Sequence, residues 1–304
     1  MILIVSHKKD YTTDYVVNIL NSRGVEYLRF NTDDIDIKHN LSVTYGKESI
    51  TSIDGISKFS SVWFRRTAVP TPKFSDLNQE EFYKRDFRLF LNSFWQGLKS
   101  NKWLSHPDFI YRAENKLRQI SLAHKIGFQV PETVISTEKS RIIELYKKYD
   151  GHIILKPLYG GKYHQGSKQK LIFTNLINKE HLTHSGQSLF PIIFQEEIEK
   201  EYELRVNVVN DKVFSAKIDS QSNKKTVLDW RRKKLKFDSY QLPTDLNNKC
   251  LELIKRLGLN FGAIDIIKRK NNYVFLEVNP NGQWAWLEKD TNHKISDAII
   301  DYLI

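Results

Sequence analysis

Apolar and polar positions sort into short regular segments from the first residue onward. Residues 2–6 (ILIVS) are an apolar run, residues 11–24 carry apolar positions at helical spacing and stop at Gly24, and residues 25–30 (VEYLRF) are apolar again. That order predicts strand, helix and strand, the opening of an α/β unit. Short strand patterns follow at 41–46, 49–53 and 61–66. A long amphipathic helix is then predicted from about residue 75 to residue 99, with Phe82, Phe87, Phe90 and Phe94 expected in the core. Beyond Arg112 the texture changes. Helical patterns at 113–127 and 138–151 bracket residues 128–133 (FQVPET), and two strand patterns, 152–157 and 170–173, flank a polar turn. The last third reads as strand 192–195, an acidic link at 196–201 and alternating strands 202–209 and 212–218. A basic stretch (229–237) and a helix around Cys250 follow, then strands 262–269 and 273–279.

The final two strands carry the first chemical signal. A three-residue loop centred on Asn271 would set Asp265 opposite Glu277. Strand alternation puts Asn279 on the same face as Glu277. Two carboxylates directly opposed repel, so the arrangement makes sense with a cation between them; in another register one of them simply faces solvent. Three hard oxygen ligands without thiolate or imidazole select magnesium or a similar ion, which completes its shell with phosphate and water.

Phosphate needs cations. Lys156 ends the run IILKP at the mouth of a strand, and Gly160, Gly161 and Gly166 follow, where backbone N–H groups can approach an anion closely. There is neither a P-loop motif nor a G-x-G-x-x-G fingerprint. The link Gln195-Glu196-Glu197-Ile198 can present backbone groups to an adenine edge. In 202–209, Glu203, Arg205 and Asn207 share one face and Tyr202, Leu204, Val206 and Val208 the other; the polar face lines a cleft or meets solvent. Trp284 and Trp286, beyond Pro280, either wall that cleft or pack in a core.

The whole-chain properties narrow the class. At 304 residues with 40% hydrophobic and 27% charged content, the chain is long enough for two or three packed units. No apolar run approaches the ~20 residues that span a bilayer. The start is too short for a signal-peptide core, so a cytoplasmic protein is expected. Cys250 is the one cysteine, which excludes a disulfide framework and a thiolate metal site. The net charge of +11 favours an acidic partner or a nucleotide.

Taken in order, these residues resemble the ATP-grasp superfamily of carboxylate–amine ligases. Lys116 lies in NKLRQISLAHKIGFQVPET, similar to that family's opening segment. Lys156 resembles its second nucleotide lysine, Gln195, Glu196 and Ile198 its adenine hinge, and Glu203 its ribose-binding acid. Arg205, Lys217 and Arg231 fall where it places basic residues facing the γ-phosphate and acyl-phosphate. Asp265, Glu277 and Asn279 match its magnesium triad. The wording EVNPNGQWAWLE, DWRR and W-F-R-R at 63–66 resembles one branch more closely, the graspetide synthetases, which mature microviridin-type peptides.

The resemblance implies an N-terminal α/β pre-ATP-grasp domain (residues 1–110) and two lobes clamping ATP, at 111–190 and 191–304, the second with the magnesium site. It implies ATP and Mg2+ as cofactors and a ribosomal precursor peptide, leader plus acidic core, as partner. Asp or Glu side chains of that peptide would be activated as acyl-phosphates and joined to Ser, Thr or Lys as esters or amides. A ligase adding a free amino acid to a peptide or small acid keeps the same fold and remains the alternative. A nucleic-acid-binding role is disfavoured, because the arginines form no aromatic-interleaved stripe. A homodimer stays open, as do the roles of Arg65 and Arg66, which suit either an acidic precursor or ordinary ion pairs.

Overall fold

The structure is a computed structural model describing residues 1–35, 38–68, 70, 74, 76–158, 162–165, 168–184 and 192–304. Gly160, Gly161 and Gly166 lie outside the described residues. The chain opens with β1 (Ile2–Ser6), α1 (Tyr11–Ser22) and β2 (Tyr27–Asn31), followed by the hairpin β3 (Leu41–Thr44) and β4 (Ile50–Ile53), then β5 (Lys58–Phe64), α2 (Leu77–Gly97) and β6 (Lys99–Trp103). Four of these strands form a parallel sheet in the order β2-β1-β5-β6. Asp10 caps α1, accepting from the Thr12 and Thr13 N–H groups.

The aromatic residues of α2 depart from expectation. Phe94 is buried, but Phe82 is 58% and Phe90 37% exposed. Phe74, Phe82, Phe87 and Phe90 line an open groove of about 660 Å³. Helical spacing set the apolar stripe, but it is wider than the surface the rest of the domain offers.

Helix α3 (Pro107–Ala113) precedes α4 (Lys116–Ile126), and α4 starts later than the helical pattern at 113–127 because Asn115 caps it, accepting from Arg118 N–H. The middle of the chain holds β7 (Thr133–Val134), α5 (Lys139–Lys148), β8 (Ile153–Lys156), β9 (Lys162–Gln165), β10 (Lys168–Leu171), β11 (Asn175–Leu176), α6 (Lys179–His184) and β12 (Ile193–Glu196). Part of the expected polar turn therefore forms the β9–β10 hairpin. The other four strands form a sheet ordered β11-β8-β12-β7. This lobe has a small core of its own, built on Ile142, Leu145, Ile153, Ile177, Leu182 and Phe194.

The last part contains β13 (Tyr202–Val209), β14 (Lys212–Ile218), β15 (Asp238–Ser239), α7 (Thr244–Arg256), β16 (Phe261–Arg269), β17 (Asn272–Asn279), α8 (Ala285–Thr291) and α9 (Ile295–Leu303). Its strands form an antiparallel sheet ordered β15-β14-β13-β16-β17. Two larger cores run without a break from the N-terminal sheet into this one. One joins Leu3, Val5 and Trp95 to Leu204, Val206 and Phe275; the other joins Ile2, Ile4 and Trp63 to Phe261, Trp284 and Ile299. The first and last parts of the chain are thus packed on each other, while the middle lobe stands on separate hydrophobic contacts.

Candidate active site

The site is organised by the β16–β17 hairpin, whose detail differs from the simple reading. The loop has two residues, Lys270 and Asn271, since Arg269 pairs with Asn272; Lys270 takes the left-handed conformation at φ +49°. Ile266 pairs with Phe275, yet Asp265 pairs with Glu277, so Leu276 is the extra residue of a bulge. The bulge restores the expected opposition of the two carboxylates and has a second effect. Phe275 and Glu277 are two apart and would share a face in a regular strand. The bulge shifts the phase, so Phe275 packs in the core while Glu277 and Asn279 join Asp265 on the other face.

Each carboxylate meets cations of the chain. Arg205 Nη1 donates to both Asp265 oxygens at 2.9 Å. Lys116 Nζ lies 3.1 Å from Glu277 Oε2 and 3.2 Å from the Pro157 carbonyl. Burial raises the Asp265 carboxyl, with Arg205 offsetting part of that. Burial acts the same way on Glu277, but Lys116, Lys156 and Arg231 outweigh it and hold that group below its ordinary value. Lys156 is lowered to about 8 by burial, with Glu277 raising it and Lys116 and Lys200 lowering it further. Arg231 donates to Asp229 from Nε at 2.8 Å and from Nη2 at 2.6 Å. This bond raises the guanidinium, and Glu277 and Asp265 add to the effect.

The structure therefore brings Lys116, Lys156, Arg205, Arg231, Asp265 and Glu277 within mutual electrostatic reach, with Asn279 on the same face. Lys217 is not among them. It pairs with Leu204 across β13–β14, and cross-strand partners share a face. Its ammonium sits over the Tyr202 ring, 4.1 Å from the centroid, on the side of the sheet opposite Arg205. Strand alternation thus corrects its expected role.

The hinge shows which backbone groups are committed. Glu196 N–H donates to the Glu132 carbonyl at 3.1 Å and Glu197 N–H to the His152 carbonyl at 2.8 Å. Ile198 N–H makes no such backbone bond among the described residues, and the Ile198 side chain packs with Ile267, Val274 and Leu276 in a small apolar cluster. Gln195 donates through Nε2 to Thr133 Oγ1 at 2.8 Å, while its buried Oε1 has no partner among the described residues. The Glu196 carboxylate accepts from Glu132 N–H at 3.2 Å. Glu203 is buried and accepts from Lys200 at 2.8 Å. Burial raises its carboxyl against the pull of Lys200.

Trp284 is fully buried, edge-on to Tyr15, and Trp286 lies on α8 against Trp230 and Phe237. Trp284 thus belongs to the core and Trp286, half-buried, packs against it, so of the two alternatives the packing one holds. Sequence reasoning also missed Gln119. Its Nε2 donates to the carbonyls of Ala113 (2.6 Å) and Val278 (2.8 Å), and its Oε1 accepts from Val278 N–H at 2.8 Å. A glutamine at helical spacing gives no sign that it clasps an edge strand.

Among the described residues no three His, Cys, Asp or Glu side chains cluster as a metal site. The candidate donor set is two carboxylates and an amide on one sheet face. It fits a hard divalent cation that draws its other ligands from phosphate and water.

Comparison with known proteins gives the family. Residues 113–303 match the RimK-like ATP-grasp domain, and residues 1–110 match the MvdD pre-ATP grasp domain. The chain belongs to the RimK-like ATP-grasp family. It is an ATP-grasp ligase with the α/β architecture of a pre-ATP-grasp domain followed by the ATP-grasp domain. A RiPP-associated ATP-grasp ligase of Chryseobacterium gregarium, solved with ADP and a leader and core peptide, is 28% identical. That likeness covers 99% of this chain and 96% of the other, with a TM-score of 0.87. The macrocyclase MdnC of Microcystis aeruginosa, solved with the precursor peptide MdnA, is also 28% identical, covering 100% and 99% with a TM-score of 0.86. The tetrahydromethanopterin:alpha-L-glutamate ligase of Methanocaldococcus jannaschii is 23% identical over 235 residues, 75% of this chain and 77% of its own length. Among the described residues, no helix is long and apolar enough to cross a membrane.

Proposed function

We propose that this ligase uses ATP to activate Asp or Glu side chains of a ribosomal precursor peptide as acyl-phosphates. It then joins them to Ser, Thr or Lys side chains, closing macrocyclic esters or amides. The observation that carries the reading is end-to-end similarity, pre-ATP-grasp domain included, to two ligases solved with such peptides. Relatives that act as glutamate ligases support the second reading, addition of a free amino acid, over a smaller share of the chain.

The reaction needs a carboxylate oxygen to attack the γ-phosphorus of ATP, breaking its bond to ADP. A hydroxyl or amine then attacks the acyl carbon, loses its proton and releases phosphate. Lys116 and Lys156 would hold phosphate oxygens. Ile198, whose N–H makes no backbone bond among the described residues, and the apolar cluster around it suit an adenine edge and face, with Gln195 and Glu196 shaping the hinge and Glu203 the ribose side. Arg205 and Arg231 face the charge that builds as the acyl-phosphate forms, where one oriented donor is worth roughly 10²–10³ in rate. Asp265, Glu277 and Asn279 would hold magnesium, which supplies neutralisation of phosphate charge when bound. The acidic precursor is drawn by the chain's surplus of 47 basic over 36 acidic residues. The division into units at 1–110, 111–190 and 191–304, and a cytoplasmic location, belong to the same proposal.

The test is the intact mass of an acidic precursor co-expressed with the ligase. Loss of one water per linkage supports macrocyclisation, and gain of an amino-acid residue supports the second reading.

A further inference from the structure

The two arginines of W-F-R-R have different environments. Arg65 is 1% exposed and spent within the fold. Its Nε lies 2.9 Å from Asp10 Oδ2, its Nη2 donates to Asp10 Oδ1 at 3.4 Å, and its Nη1 reaches the Gly282 carbonyl at 3.5 Å. Arg66, at the end of the same segment, is only partly covered. Its Nε and Nη2 donate to one acceptor, the Asn281 carbonyl, at 3.3 and 3.2 Å. No carboxylate lies within ion-pair distance of it among the described residues.

That acceptor belongs to the turn closing β17. Asn281 N–H donates to Asn279 Oδ1 at 3.1 Å, and Asn281 Nδ2 donates to the Arg65 carbonyl at 3.0 Å. A third guanidinium meets the turn at Gly282, since a Cβ there would come within 2.7 Å of Arg205 Nη2. Three guanidiniums therefore surround residues 279–282, and two carboxylates answer them: Asp10 takes Arg65 and Asp265 takes Arg205. Burial, then Arg65 and Arg205, depress the Arg66 guanidinium, with Asp10 and Glu114 offsetting part of this. A partly covered arginine next to two others is unfavourable unless an anion joins them.

We propose that Arg66 binds the substrate carboxylate that is to be phosphorylated. This rests on the proposed function for the nature of that carboxylate, an Asp or Glu side chain of the precursor. Arg66 belongs to the pre-ATP-grasp domain and Arg205 to the ATP-grasp domain, so the carboxylate is held between the two domains at the edge of the candidate magnesium site. The role gives the N-terminal domain a direct part in substrate recognition.

The experiment compares wild type, Arg66→Gln and Arg66→Lys by ADP release as a function of carboxylate substrate. The acidic precursor is one probe and free L-glutamate the other, with magnesium–ADP affinity measured alongside by calorimetry. The expected result for Arg66→Gln is a KM for the carboxylate substrate raised about 10- to 100-fold, the value of a hydrogen bond to a charged group. Its ADP affinity is expected within about twofold of wild type, and Arg66→Lys should recover part of the loss. An arginine that only braces the Asn281 carbonyl would weaken magnesium–ADP binding as much as substrate binding, and that result overturns the proposal. So does an unchanged KM. Failure of the macrocyclase reading appears elsewhere, in the wild-type product mass and in which probe the wild type consumes.

Discussion

Gln119 holds Val278 by both ends of its amide, accepting from the N–H and donating to the carbonyl at 2.8 Å each. Val278 lies between Glu277 and Asn279 on an edge strand, and Lys116 is one helical turn before Gln119 on α4. The clasp therefore fixes the lysine against the carboxylate it meets. Gln119→Leu strands buried backbone donor and acceptor groups, so it should destabilise the protein by about 2–4 kcal/mol. It should also weaken magnesium–ADP binding. Urea unfolding and calorimetry check both, and an unchanged midpoint would contradict the assignment.

Asp10 and Arg65 form a buried ion pair between α1 and the end of β5. Burial alone would raise the Asp10 carboxyl. The Arg65 charge and hydrogen bond, with Thr13 N–H and the Ser6 hydroxyl, outweigh it and bring it from 3.8 down to about 2. A folded-state value below the unfolded one means the unfolded chain binds the proton more readily. The pair's contribution is thus complete above about pH 4 and fades as pH falls toward 2, amounting to about 2 kcal/mol. The stability gap between wild type and Asp10→Asn should shrink between pH 5 and pH 3. A gap that stays constant over that window would contradict this reading.

Cys250 lies on the buried face of α7, and burial pushes its thiol up to about 12. Native protein should resist a thiol-reactive disulfide reagent at pH 8 and react at once in urea, because the thiolate is the reactive species. Rapid labelling without denaturant would place the residue elsewhere.

Lys217 and Arg205 separate the two faces of one sheet. Lys217→Ala should leave kcat within a few-fold of wild type, since its ammonium rests on Tyr202 on the far face. Arg205→Ala should lower kcat by roughly 10²–10³. Comparable losses for both would mean that Lys217 reaches the site after all.

The polar face of β13 and the opposition of Asp265 to Glu277 were legible because strand alternation and hairpin pairing depend on spacing alone. The bulge at Leu276 was not. A two-residue loop with a bulge gives the same pairing as a three-residue loop without one, and only the inward position of Phe275 distinguishes them. Lys217 was misplaced because a motif fixes order along the chain but not which side of a strand a residue takes. Trp284 read as a loop residue because nothing in EVNPNGQW announces that α8 begins at Ala285. Gln119 and the division of labour between Arg65 and Arg66 depend on contacts across 150 residues or more, which no local pattern carries.

Activation of the substrate carboxylate as an acyl-phosphate moves one of its oxygens onto phosphorus, so the fate of that oxygen is diagnostic. A precursor whose Asp and Glu side-chain carboxylates carry heavy oxygen would be incubated with the ligase, ATP and magnesium, and the released phosphate analysed by mass spectrometry. One heavy oxygen is expected in phosphate for each linkage formed, and none with Glu277→Ala, which should form no linkage. Linkages formed with unlabelled phosphate would contradict acyl-phosphate activation, because the carboxylate would then have been joined without ever bonding to phosphorus.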